Sequence, residues 1–471
     1  MTTHSTSKPT ELERIPTEIF RLILGEVASP MMPLGVACTL GQPNADLKAM
    51  RLWSKRFAEQ ATPYLFKTLL VFITTESFAR MTAIANHTHY RHFVSEVRVF
   101  PRHFAVESPF DEESDYQDHI AGLSLDDIYS DPENPDRDPW TSEQLGLAYT
   151  HYTSMRRKQS ELLPHVQALL QDAFGKFSTL KNVKARRFGD ELRYKIKQQR
   201  PSLPPTLLDF HRRTLLLLSG DRQAIYYTSP GDEEFAEETL IIMRAIALSN
   251  ANIELLWLCD RKRNPDLGHV NLSGSEVLSA KTTFAKLKIL KFPLPELDEY
   301  TKDIDHRPSM KTWIRLLESA SNLETLNLSG HLGLSCGHGH ECDVFFSNAY
   351  FPRLRKLGLT NFSASSIPIS AFVKRHASTL RKIKLRDFRL LIGSWYGIFN
   401  DIRREGLCVY VSRLGCLCHY QEYFHGEQKY QQRRQLKGYM QEGQCWPSDL
   451  PMGLLKEASE EYESDAESEG N

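Results

Sequence analysis

Asn322-Leu323-Glu324-Thr325-Leu326-Asn327-Leu328 sets a leucine at a first position, another at +3 and a third at +5. In a β-strand Leu326 and Leu328 would share one face while Asn327 faces the other way. Upstream, Met310 to Ala320 has the periodicity of a helix packed on one side. The same apolar spacing can be read six more times: Val94/Val97/Val99, Leu180/Val183/Ala185, Ile253/Leu256/Leu258, Leu287/Leu290/Phe292, Leu354/Leu357/Leu359 and Leu380/Ile383/Leu385. From residue 253 the first positions fall at 253, 287, 323, 354 and 380, which is the regularity of a stacked unit. Helical patterns at Phe235 to Ala247 and Ile369 to Ala377 precede the strands at Ile253 and Leu380. One such helix and strand present an apolar face too small to bury alone, so neighbours must stack to make a continuous core.

The pattern predicts an α/β solenoid over residues 69–430, with parallel strands on the concave side and helices outside. An unrelated α/β domain is the alternative. The wide gaps from 94 to 180 and from 180 to 253 hold degenerate repeats or insertions. Between Glu107 and Asp138 there are twelve carboxylates and one arginine, so 107–140 reads as a solvated acidic insertion with no fold assigned. The extension 431–471 ends in Glu457–Asn471, seven acids and no base, which is read in the same way.

Lys plus Arg total 58 against 59 Asp plus Glu, so net charge provides no general attraction to nucleic acid or to a membrane surface. The stretch Lys176 to Arg200 has nine bases and two acids, a composition that a solvated helix face explains more simply than nucleic-acid binding. Eight scattered cysteines, no signal-like opening and no apolar run of membrane-spanning length lead to the expectation of reduced thiols in the cytoplasm or nucleus.

The opening segment Ile15-Pro16-Thr17-Glu18-Ile19-Phe20-Arg21-Leu22-Ile23-Leu24 puts Ile15, Ile19, Ile23 and Val27 on one helical stripe, with Pro16 in the first turn. A Pro/Gly-rich stretch follows, and then Leu47, Leu52, Ser54-Lys55-Arg56-Phe57 and Pro63-Tyr64-Leu65-Phe66. Read in this order, residues 12–68 resemble the F-box, with Ile15 at the usual leucine and 30–45 as an insertion; 1–11 is then a flexible lead. An ordinary amphipathic helical pair is the plainer reading. Together with Ala148-Tyr149-Thr150-His151-Tyr152 and the repeats, the chain resembles large fungal F-box proteins with irregular leucine-rich repeats.

The resemblance implies a non-catalytic substrate receptor of an SCF-type cullin-RING ubiquitin ligase. Ile15, Pro16, Ile19, Ile23, Leu47, Leu52, Phe57, Leu65 and Phe66 would meet the Skp adaptor and, through it, a cullin. A non-degradative F-box/repeat scaffold is the alternative it allows, and a zinc-binding protein or an enzyme is the reading outside it. No cofactor, membrane or nucleic acid is implied.

The strand period assigns the residues between +3 and +5 to the concave face: Arg98, Lys184, Trp257, Lys291, Asn327, Gly358 and Lys384. Four are basic and none acidic, and Lys356, Lys382 and Arg386 flank them. Trp257, Lys291, Asn327, Lys356, Lys384 and Arg386 are accordingly the candidate contacts to an acidic or phosphorylated target segment. Enzyme motifs for phosphate loops, nucleophile elbows and zinc proteases are absent from the sequence. The one metal-like arrangement is Cys336-Gly337-His338-Gly339-His340-Glu341-Cys342. Extended, its four ligand types would spread over roughly 20 Å, so the chain would have to curl to bind one zinc ion. Cys416, Cys418, His419 and His425 could complete such a site; a loop with unligated thiols and imidazoles is the plainer reading.

Overall fold

The computed structural model describes residues 55–100, 112–122, 141–185, 231–258, 274–293, 310–330, 339–416, 421–423, 436 and 438–440. The chain divides into two compact units, residues 1–180 with 187–229, and residues 181–186 with 230–471.

In the first unit, α1 (Lys55–Phe66) leads into β1 (Thr68–Phe72), α2 (Thr75–Asn86), a 3-10 turn (Tyr90–Phe93) and β2 (Glu96–Phe100). β1 and β2 are parallel, with Leu69 opposite Val97 and Val71 opposite Val99. The turn into α2 is set by short polar side chains: Thr74 accepts the Ser77 N–H at 3.2 Å, and Ser77 Oγ accepts the Phe72 N–H at 3.0 Å. Phe72 and Phe100 stack with centroids 5.0 Å apart. The gap before the second triplet is an insertion, containing α3 (Glu113–Gly122) and the 35-residue α4 (Ser142–Lys176). A capping box of Thr141 and Gln144 starts α4, whose buried Leu162, Val166, Leu170, Ala173 and Phe174 form one stripe. Past its end, Thr179 Oγ1 donates to His92 O and Val94 O at 3.0 and 2.9 Å, tying the chain back to β2.

The helix α3 corrects the expectation that the acidic stretch carries no fold. Glu113 and Asp115 lie in its first turn, where carboxylates complement the helix dipole. Tyr116 is fully buried, with its ring 5.4 and 5.7 Å from those of Tyr149 and Tyr152 on α4. One buried aromatic anchor thus offsets part of the ordering entropy that acidic composition alone would leave unmatched. Residues 107–111 and 123–140 of that stretch, and the tail 457–471, lie outside the described residues.

The second unit is α/β, with parallel strands alternating with helices. Its order is β3 (Asn182–Ala185), α5 (Gly231–Ser249), β4 (Leu255–Trp257), α6 (Gly274–Phe284), β5 (Ile289–Pro293), α7 (Met310–Glu318), β6 (Thr325–Ser329), α8 (Gly339–Asn348), β7 (Lys356–Ala364), α9 (Ser366–Arg375), β8 (Lys382–Leu390), α10 (Trp395–Arg404), β9 (Cys408–Cys416) and β10 (Gln421–Tyr423). From β3 to β9 each strand pairs in parallel with the next in sequence, and β10 returns antiparallel on β9. From α5 to α10 each helix likewise packs on its successor. Such chain-order stacking is consistent with a solenoid-like α/β fold.

Every member of the seven apolar triplets is buried, none more than 3% exposed. Leu326, Leu357 and Ile383 lie side by side across β6, β7 and β8, and Leu328, Leu359 and Leu385 form the next row. Full burial of each such side chain stabilises by about 1.5–3 kcal/mol. Polar ties lock successive units together: Arg375 on α9 donates to Phe346 O, Ser347 O and Ala349 O at the end of α8, and Lys374 pairs with Asp401 of α10 at 3.1 Å. Among the described residues no helix is long and apolar enough to cross a membrane.

Candidate functional site

The strand face turned away from the apolar rows carries a line of in-register neighbours running Lys184, Trp257, Lys291, Asn327, Gly358, Lys384 and Tyr410, one from each strand β3 to β9. Parallel pairing in register makes the line, because residues with the same alternation phase fall at the same height on each strand. Lys291 Nζ sits 3.3 Å from the centroid of the Trp257 ring, and Lys184 Nζ lies 5.9 Å from it on the other side of the row. Trp257 is half-buried, with the Lys291 ammonium in direct cation–π contact with its ring.

Midway along the row the Asn327 amide leans over β7. A Cβ at residue 358 would collide with Asn327 Oδ1, so glycine makes that close approach possible. Farther on, Lys384 is exposed, with Nζ 5.5 Å from the Tyr410 ring. Beside it Lys356 and Lys382 are exposed and directly opposite each other on β7 and β8. Arg386 stands between Thr360 and Ser412 and pairs with Asp387 at 3.1 Å. Among the described strands β3 to β9, Asp387 of β8 is the one acidic residue, and it is the partner of Arg386.

At the start of the strands the charges alternate. Glu254 lies between Lys181 and Lys288, at 2.9 and 3.0 Å. Hydrogen bonds from Lys181 and then Lys288 hold its carboxyl below the ordinary carboxylate range. Arg355 extends the series, 4.0 Å from Glu324.

The six expected target contacts therefore share one face but form two groups. Trp257 and Lys291 lie on β4 and β5, while Lys356, Lys384 and Arg386 lie on β7 and β8, with Asn327 between them. Arg98 belongs to the first unit and is paired with Glu96 on its own strand. Lys382 and Tyr410 complete the surface. Tyr410 escaped the sequence reading because Gly406, with φ of 65°, takes the place of the first apolar residue and Leu407 is buried instead.

Of the expected adaptor contacts, Phe57 is buried in α1, and Leu65 and Phe66 are half-buried at its end, with Phe66 stacked on Tyr90 at 4.4 Å. Ile15, Pro16, Ile19, Ile23, Leu47 and Leu52 lie outside the described residues. So do Cys336, His338, Cys418, His419 and His425. His340 and Cys342 fall within α8, so that part of the candidate metal segment is helical and not an extended or curled strap. Among the described residues no group of three or more His, Cys, Asp or Glu is placed to hold a metal ion.

The open face therefore presents lysine ammonium groups, a half-buried indole and backbone already paired in the sheet. A scan against family models finds no match to this chain, and a search of curated proteins finds none either.

Proposed function

We propose that this chain is the substrate-recognition subunit of an SCF-type cullin-RING ubiquitin ligase. Residues 12–68 would be its F-box, and the helix and strand units irregular leucine-rich repeats that hold a protein target. The carrying observation is the ordered series from Ile15-Pro16-Thr17-Glu18-Ile19 through Ser54-Lys55-Arg56-Phe57 to Leu65-Phe66, followed at once by repeating units. The helix α1 supports it in part: Lys55–Phe66 is one helix with Leu65 and Phe66 half-buried at its end, whereas Phe57 is buried within the fold and is not offered to an adaptor. The open basic and aromatic face supports target capture, with an acidic or phosphorylated segment as the fitting ligand.

The test is co-purification with Skp and cullin, with and without a neddylation inhibitor. Ile19→Asp with Ile23→Asp places two carboxylates on the apolar stripe, against about 1.5–3 kcal/mol of burial for each isoleucine. Skp and cullin should be lost together while the circular dichroism of the repeat units is retained. Skp recovered without cullin from the unmodified chain would favour a non-degradative scaffold, and recovery of neither would overturn the reading.

A further inference from the structure

The exposed lysines of the open face gather on β7 and β8. Around β3 to β5, Glu254 pairs with both Lys181 and Lys288. On β7 and β8, Lys356 and Lys382 are adjacent across the strands with Lys384 on the same face, all three exposed. None of the three forms an ion pair with another described residue. Like charges on neighbouring strands repel, and an anion laid across them removes that repulsion.

The chain contains a segment of matching chemistry. Glu457–Asn471 carries seven carboxylates and no base. Its nearest described residues are anchored on the helix layer: Tyr439 is buried against α10, the helix joining β8 to β9, with the Arg403 guanidinium 4.8 Å from its ring and Asn400 Oδ1 3.5 Å from its hydroxyl. Residues 441–456 link the two. Fully extended, a chain of that length reaches over about 50 Å, well beyond the ~10 Å between packed layers.

We propose that Glu457–Asn471 folds back onto the open face of β7 and β8 and covers Lys356, Lys382 and Lys384, competing there with an acidic target. Tethering makes contacts that are individually weak effective, because the segment is held at high local concentration. The inference rests on the reading of the open face as the capture surface and is independent of adaptor binding.

Zero-length carbodiimide cross-linking of the full chain, mapped by mass spectrometry, tests it. Cross-links from carboxylates of 457–471 to Lys356, Lys382 or Lys384 are expected within single molecules, at a yield independent of protein concentration. They should fade as salt rises from about 50 mM to about 500 mM, as screened ion pairs do. Cross-links spread evenly over exposed lysines such as Lys158, Lys281 and Lys286, or formed only between molecules, would overturn the proposal. A parallel arm adds a polyglutamate peptide. If the peptide labels the three lysines and the tail does not, self-masking falls and the capture surface stands; if neither does, both fall.

Discussion

At the scale of single residues, His376 is a buried ionisable group held at both ring nitrogens. It is 1% exposed, on the last turn of α9. The Phe351 N–H donates to Nε2 at 3.0 Å, so Nδ1 must carry the proton and donate to Phe372 O at 2.8 Å. Its ring stacks on Phe372 at 4.1 Å. Burial first, and Arg375 beside it, lower its pKa below the ordinary 6.5 despite the opposing effect of the Phe372 carbonyl. The folded state thus favours the neutral ring, while the unfolded chain takes up a proton near pH 6.5. Stability contributed by neutral His376 is complete above that pH and is lost as pH falls toward the depressed folded value. The unfolding free energy should fall by up to about 1.4 kcal/mol per pH unit in that window. His376→Gln should remove this slope and lower the plateau by about 1–3 kcal/mol, through loss of buried hydrogen bonds. An unchanged slope in urea titrations of the variant would assign the acid sensitivity to other groups.

At the scale of elements, β7 and β8 are bent in step. Asn361 and Asp387 have φ of 59° and 49°, the left-handed region that asparagine and aspartate tolerate better than other side chains. The register omits this pair: Thr360 faces Arg386, and the next opposed residues are Phe362 and Phe388. The extra residue in each strand reverses the alternation, so Phe362 and Phe388 turn inward. On β6, Gly330 meets the same bend, where a Cβ would collide with the Asn361 carbonyl oxygen. Aromatic packing fills these inward positions. Phe362 and Phe388 stack at 6.3 Å, Phe388 meets Trp395 edge-on at 5.7 Å, and Trp395 continues to Phe399 at 5.6 Å. Phe388→Ala would open a cavity in the middle of this chain of rings and should cost about 3–5 kcal/mol. Denaturant midpoints measure it; a loss under 1 kcal/mol would show that the rings are not packed as described.

At the scale of the whole molecule, the proposed capture surface is separate from the residues that hold the fold. Trp257 and the lysines lie outside the apolar rows, so changing them should leave the fold intact. Trp257→Ala removes the indole and should weaken target capture about tenfold or more, the range of a binding hot spot. Lys291→Glu with Lys384→Glu reverses charge in both groups and should reduce capture further, with Skp recovery as the folding control. Capture at unchanged strength by both variants at physiological salt would exclude this face as the recognition surface.

The sequence by itself determined the strand phase, the buried triplets and the helices before Ile253, Leu323 and Leu380, because period-2 and period-3.6 patterns are local and survive in any context. It also determined which residues alternate away from the core, and so the basic character of that face. Only tertiary structure decided which of them are neighbours. The Lys291 ammonium over Trp257, Asn327 leaning over Gly358 and the opposed pair Lys356 and Lys382 all depend on register between strands 26 to 36 residues apart. The strand β9 and the buried Tyr116 were illegible for related reasons. Gly406 displaces the first apolar residue of β9, and a tyrosine among carboxylates reads as solvated until partners on another helix remove it from water.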